Sequence, residues 1–136
     1  MTEHKKPEVL FLCVHNAGRS QMAAGFARRI GGDRVVIHSA GTAPGDNLNP
    51  AVVEVMREKG IDITEQKPQA LTEAMGLSSD VIITMGCGDA CPVYPGKRYV
   101  DWALSDPAGK SLDEVRPIRD DIEKRVVSLL DELLTD

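Results

Sequence analysis

Eight residues, Cys13-Val14-His15-Asn16-Ala17-Gly18-Arg19-Ser20, lie between an apolar run and a helical spacing, and they restrict the folds open to this chain more than any other feature. The run before them, Val9-Leu10-Phe11-Leu12, has the character of a buried parallel strand. After them, from Ser20 through Ile30, Met22, Ala23, Phe26, Ala27 and Ile30 recur at spacings of three and four, as on the apolar face of a helix. Strand, tight loop and helix in that order gather the amides of Val14 to Ser20 around a helix N-terminus, where unpaired N–H groups and the macrodipole favour an anion. The expected ligand is a tetrahedral oxyanion.

Cys13 falls at the carboxyl end of the strand, so the same amides and helix end should stabilise its thiolate and make it a nucleophile. Arg19 offers a planar fork of donors to two equatorial oxygens, which a lysine cannot do bidentately. The Ser20 hydroxyl can donate to the Cys13 sulfur or to a leaving oxygen. Asn16 and Gly18 suit the positive backbone dihedrals of a tight anion loop. His15 either tunes the thiolate or points to solvent. The plain alternative makes Cys13 a buried small hydrophobe and Arg19 a surface cation. Against it stands the joint pattern of Cys, five intervening residues, Arg and Ser between a strand and a helix.

Strands and helices alternate along the rest of the chain. Val35-Val36-Ile37-His38 reads as a second strand. Gly41 to Pro50 reads as a surface loop near the site, and Asn49 as the N-cap of a helix with Pro50 at its first position, Val52, Val53 and Met56 on one face, and Gly60 closing it. Thr72 to Met75 makes one helical turn, Val81 to Thr84 a buried central strand and Arg98 to Asp101 a short fourth strand. Ser111-Leu112-Asp113-Glu114 matches a capping box, but Pro117 disfavours an unbroken helix, so the regular part is expected to begin near Pro117. From there Ile118, Ile122, Val126, Leu129, Leu130 and Leu133 form one apolar stripe, which reads as core and leaves the oligomeric state open. The pattern predicts an α/β fold: a single-domain four-stranded parallel sheet with helices on both faces and the anion loop outside the carboxyl ends of the strands.

At 136 residues the chain can bury roughly two-thirds of its unfolded surface, and one domain is expected, residues 8–136, after a short polar tail, 1–7. The tail lacks the apolar stretch of a signal peptide, which predicts a cytoplasmic protein. No apolar run approaches the roughly 18 residues of a membrane span. A net charge of −5 argues against general affinity for nucleic acid or an anionic membrane, so the anion site must be a local positive feature of an acidic whole.

Together the anion loop, Ser39-Ala40-Gly41-Thr42, Asn49-Pro50, Val81-Ile82-Ile83-Thr84 and Asp106-Pro107-Ala108-Gly109-Lys110 resemble the low-molecular-weight tyrosine phosphatase superfamily, and within it the arsenate reductases recycled through cysteine disulfides and thioredoxin. Phosphatases of this kind usually carry an aromatic residue where Ala108 stands and a second cysteine where Gly18 stands. Both differences favour the reductase. The resemblance implies reduction of arsenate to arsenite in arsenic detoxification, with phosphate or sulfate as mimics of the substrate. In this reading Cys13 attacks arsenic, Arg19 and the amides of Val14 to Ser20 hold the oxyanion, and Asp106 is the acid that protonates the departing oxygen. Without the family pattern, Asp106-Pro107 would be an ordinary turn opener.

Two further cysteines, Cys87 and Cys91, lie on a Gly-rich segment after the third strand. A phosphatase needs no further thiol. A reductase needs a second thiol to attack Cys13, release arsenite and leave a disulfide, and a third to move that disulfide outward. The resemblance implies the order Cys13, Cys87, Cys91, although the family's first loop cysteine aligns with either Gly86 or Cys87. Zinc would want four ligands at recognisable spacing, and one C-x₃-C with scattered histidines does not supply them. Ser39 is expected to brace Asn16. Ala24 stands where some relatives place an acidic residue beside a potassium ion, so no metal is predicted. No bound organic cofactor is required, because electrons arrive through thiols from thioredoxin, glutaredoxin or a low-molecular-weight thiol. The other readings are a phosphotyrosine phosphatase using the same Cys13, Arg19 and Asp106, and a non-catalytic oxyanion or redox sensor.

Overall fold

The computed structural model describes residues 6–86 and 91–134. The greater part of the expected tail, residues 1–5, and Cys87 lie outside the described residues. Strand β1 (Glu8–Cys13) occupies the middle of the molecule, paired in parallel with β2 (Val36–Gly41) on one side and β3 (Val81–Thr84) on the other, and β3 pairs in parallel with β4 (Arg98–Asp101). The sheet order is therefore β2-β1-β3-β4. Because strand side chains alternate, β1 serves two cores. Val9, Phe11 and Cys13 join the large cluster that packs against α1 (Arg19–Gly31), α2 (Pro50–Glu58) and α4 (Leu112–Leu134). Leu10 and Leu12 face the opposite way, into a small cluster with Ala40 and Ile82, capped by Met75 of the short helix α3 (Glu73–Ser78) and by Cys91, Tyr94 and Tyr99. Helices cover both faces of the four-stranded parallel sheet, as the alternation predicts, but the layers are unequal.

Helices α2, α3 and α4 each begin on a side chain that satisfies an otherwise orphaned amide. Asn49 accepts from the Ala51 amide at 2.9 Å with Pro50 at the first position of α2, as expected. Thr72 caps Met75 at 3.2 Å, so the single turn expected there extends to Ser78. The second strand also differs from expectation. It runs from Val36 to Gly41, because Leu12 and Cys13 of β1 pair with Ala40 and Gly41 and draw three further residues into the ladder.

The clearest correction is at the last helix, which starts at Leu112 and contains Pro117. Ser111 and Glu114 form the capping box in full: the Ser111 amide donates to Glu114 Oε1 at 3.1 Å and the Glu114 amide to Ser111 Oγ at 3.3 Å. Pro117 forfeits only the bond to the carbonyl of the exposed residue Asp113, and the cap with the apolar stripe outweighs that loss. The stripe is buried at Ile118, Ile122, Val126, Leu129 and Leu130, and it contains a charge that the spacing did not disclose. Arg119 is buried among these residues and donates to the Val55 carbonyl at 3.0 Å and to Glu58 Oε1 at 2.7 Å, tying α4 to the end of α2. No helix among the described residues is long and apolar enough to cross a membrane.

Glu58 takes hydrogen bonds from Arg116 and Arg119, which, against a smaller opposing effect of burial, hold its carboxyl at about 2 rather than the ordinary 4.5. Since the folded value lies below the unfolded one, this pairing contributes stability that is fully present above about pH 4.5 and is lost as pH falls towards 2. Urea unfolding should show Glu58→Gln less stable than the parent at neutral pH, with the gap narrowing steadily through that acidic window. A gap independent of pH would assign the stabilisation to packing alone.

Candidate active site

Cys13 ends β1 buried against the large core, and it is a free thiol. Its Sγ lies 2.9 Å from Ser20 Oγ and 3.3 Å from the Asn16 amide, which donates to it. Asn16 Nδ2 donates to Ser20 Oγ at 2.7 Å. With a lone pair engaged by Asn16, the Ser20 hydroxyl is free to direct its hydrogen at the sulfur. Two donors thus converge on Sγ.

The loop itself is held from outside. The carbonyls of Cys13, Val14 and His15 accept from the amides of Thr42, Ala43 and Gly45, and that of Ala17 from the Asn49 amide, all at 2.9 or 3.0 Å. The Asn16 carbonyl accepts from Gln21 Nε2 at 2.8 Å, and the Gly18 carbonyl from the Met22 amide at 2.9 Å as α1 begins. Six consecutive carbonyls are therefore committed. A trans peptide sets the following N–H opposite its carbonyl, and the described residues include no cis bond, so the amides of residues 14–19 face away from those partners, and that of Asn16 reaches the Cys13 sulfur. Gly18 is the N-cap of α1 and offers no side chain to it, and the first turn holds no acidic residue. The positive end of the helix is thus left for a ligand.

Arg19 is buried, with Nη1 3.5 Å from the Leu104 carbonyl and Nη2 3.7 Å from Asp106 Oδ2. The Gly86 backbone lies against its guanidinium so closely that a Cβ there would come 2.6 Å from Nη1. The other carboxylate oxygen of Asp106 accepts from the Ala108 amide at 3.0 Å. Asp106 thus opens a turn and also lines the cavity of the site. Cys13 and Arg19 form the floor of a cavity of about 40 Å³, walled by His15, Ala17 and Gly18 and, across from them, by Asn49, Asp106, Pro107 and Ala108. That volume exceeds what a single water requires and suits a small tetrahedral anion.

Cys13 and Arg19, six residues apart in the loop, share this cavity with Asp106 from far along the chain. Cys91 is not among its lining residues. It packs on the small core cluster that Val14 also joins, and it is disulfide-bonded. His15 is exposed at the cavity mouth. Two expectations about the loop need correction. Asn16 has the positive φ, 52°, but Gly18 does not. Glycine is required at 18 because a Cβ would sit 2.7 Å from Pro107 Cγ. Nor does Ser39 brace Asn16. The Asn16 side-chain carbonyl accepts from Gln21 Nε2 at 3.0 Å and from the Gln69 amide at 2.9 Å, while Ser39 gives its own carbonyl to Gln69 Nε2.

The sequence reading missed Gln21 and Gln69 as supports, and it treated Asn49 only as a cap. Asn49 also lines the cavity and donates through Nδ2 to the Pro107 carbonyl at 3.4 Å. Gln21 did leave a signal, a long amide inside the first turn of an otherwise apolar helix face.

A buried free thiol at the end of a central parallel strand, a loop with its carbonyls held from outside on a bare helix N-terminus, and a guanidinium beside an Asp-Pro turn define a protein of phosphatase-like architecture. The match to the low molecular weight phosphotyrosine protein phosphatase family spans residues 8–136, and the chain belongs to that family. It is 45% identical over 131 residues to a putative arsenate reductase of Halobacterium salinarum, covering 93% of this chain and 92% of that one. Among solved structures it resembles a thioredoxin-dependent arsenate reductase of Corynebacterium glutamicum, at 41% identity and a TM-score of 0.81. That match covers 94% of this chain and 61% of the Corynebacterium chain. An arsenate reductase in a phosphate-binding state is 32% identical with a TM-score of 0.84, over 93% of this chain and 98% of that one.

Gly18→Ala should push Pro107 outward, open the cavity and weaken binding of inorganic phosphate at least about tenfold in calorimetry, as expected when a tightly packed contact must shift. Wild-type affinity in that variant would mean that the Pro107 segment yields without disturbing the cavity.

Proposed function

We propose that this chain is an arsenate reductase in which Cys13 is the nucleophile and Cys87 and Cys91 carry the oxidising equivalents to an external thiol reductant. The observation that carries this reading is a free thiol at the floor of an oxyanion-sized cavity in a chain whose Cys91 is disulfide-bonded. A phosphate-ester hydrolase has no use for the second feature. A reductase leaves a loop cysteine oxidised and its nucleophile reduced at the end of each cycle.

In the first step the Cys13 thiolate attacks arsenic(V), with Arg19 and the amides of residues 14–20 holding the oxygens. An oxygen departs as water, protonated by Asp106. Cys87 then attacks Cys13 Sγ. The sulfur–arsenic bond breaks, its electron pair stays on arsenic as arsenite is released, and a Cys13–Cys87 disulfide remains. Cys91 attacks Cys87, freeing Cys13 for the next cycle. A dithiol donor such as thioredoxin then reopens the outer disulfide, as suits a reducing compartment such as the cytoplasm. The same Cys13, Arg19 and Asp106 can hydrolyse an aryl phosphate, and weak phosphatase activity accompanies this reading.

The test is NADPH oxidation that requires arsenate, with thioredoxin and thioredoxin reductase present, run beside aryl phosphate hydrolysis. Brisk hydrolysis with no arsenate-dependent NADPH consumption would make the protein a phosphatase instead. Cys13→Ser should abolish both activities, and Arg19→Lys should lose at least about tenfold in both, because a point charge replaces a bidentate fork. Cys91→Ser should release at most about one arsenite per chain and keep its phosphatase activity, since it acts only in disulfide transfer. Sustained arsenate reduction by Cys91→Ser would remove it from the relay.

A further inference from the structure

Val93 is an apolar side chain held out in water. At 79% exposure it is the most exposed large hydrophobic among the described residues, and it lies two positions beyond Cys91. Both of its neighbours are fastened to one hydroxyl. Tyr99, on β4, donates through Oη to the Pro92 carbonyl at 3.5 Å, and the same oxygen accepts from the Tyr94 amide. The Tyr94 ring in turn lies over Gly76 of α3, where a Cβ would be 2.2 Å from the ring. The carbonyl before Val93 and the amide after it are thus both held by Tyr99, which restrains the backbone on either side of the exposed valine. Leu77, the residue after the Gly76 on which the Tyr94 ring rests, is a second exposed apolar side chain at 52%, and Lys97 Nζ donates to its carbonyl at 2.6 Å. The stretch from Cys91 to Lys97 carries no acidic residue, although the chain as a whole has a net charge of −5.

We infer that this exposed apolar surface is the docking surface for the protein dithiol that reduces the disulfide at Cys91. The inference rests on the reductase reading, and it assigns the surface by which that reaction selects a protein donor. A disulfide is reopened only by a thiolate that reaches one of its sulfurs, so the donor must approach Cys91, and an uncharged apolar knob beside it contributes contact area without like-charge repulsion. The donor thiolate attacks Cys91 Sγ, and the existing S–S bond breaks with its electron pair leaving on the other sulfur. A mixed disulfide between donor and Cys91 results. The donor's second thiol then attacks the donor's own sulfur, Cys91 departs as a thiolate, and the donor has lost two electrons. The two donor thiol protons go to the two released thiolates.

Val93→Asp in the full chain separates docking from chemistry, because a protein donor needs this surface and dithiothreitol does not. With thioredoxin as donor, kcat/KM should fall about tenfold or more, chiefly through KM, as expected for a charge placed in an interface centre. With dithiothreitol, the arsenate-dependent rate should stay within about twofold of wild type, because a small dithiol touches only the sulfur. Leu77→Asp should move the thioredoxin KM in the same direction. Unchanged kcat/KM for thioredoxin in Val93→Asp, an equal loss with both reductants, or a wild type that accepts dithiothreitol but not thioredoxin would each overturn the docking surface. No arsenate-dependent turnover by the wild type with either reductant would overturn the reductase reading beneath it.

Discussion

Everything in the site depends on six consecutive backbone carbonyls, from Cys13 to Gly18, being claimed from outside the loop. Backbone polar groups must be paired somewhere, and a planar peptide cannot face both of its groups the same way. Once the segment 42–49, Gln21 and the first turn of α1 take the carbonyls, the amides face away from those partners, and that of Asn16 reaches the Cys13 sulfur. An acidic chain thereby obtains a local site for an anion with a single buried arginine and no cluster of basic side chains. The extension of β2 to Gly41 belongs to the same construction, because it delivers residues 42–45 alongside the loop. Gly41 must be glycine there, since a Cβ would meet the Val14 carbonyl at 2.5 Å.

Glycine contacts also decide how the remaining pieces close on the loop. Gly18 admits Pro107, and Gly86 admits the Arg19 guanidinium. The first contact sets the distance of the Asp-Pro turn from the cavity, and the second seats the arginine between the end of β3 and residues 104–106. Further away, the Phe11 and Trp102 rings, 5.9 Å apart between centroids, anchor the start of that segment to the central strand. The stretch that carries Asp106 is therefore fixed at both ends while the carboxylate itself stays half exposed.

What could be read from the chain was what is local in it. The apolar run, the Cys-to-Ser loop and the helical spacing are contiguous, so the strand, the turn and the bare helix start followed directly, and so did the meeting of Ser20 with the Cys13 sulfur. The bond from Gln69 to Asn16 spans 53 residues, and no local spacing announces it. The last residues of β2 became strand only through pairing with β1, a tertiary effect that overrides the turn character of Ser39-Ala40-Gly41. Pro117 carries a large intrinsic cost as a helix breaker, but the reciprocal cap six residues earlier and a long buried stripe carry the helix through it. Gly18 needs no positive φ; its need is for space against Pro107, which only the folded chain reveals. Arg119 was hidden inside an apolar stripe, and its partner Glu58 lies on a different helix.

A cradle of amides reads the shape and charge of what enters it, and it is indifferent to the element at the centre. Phosphate and arsenate present the same four oxygens in the same arrangement, so the six-carbonyl construction gives neither an advantage on entry. For a protein that works on arsenate, the abundant phosphate of a cell is then a standing competitor for the same cavity. Discrimination has to come after binding, from the readiness of arsenic, and not phosphorus, to accept an electron pair when a thiol attacks. Selectivity of that kind is a property of commitment, and its working range is set by the ratio of the two anions around the protein.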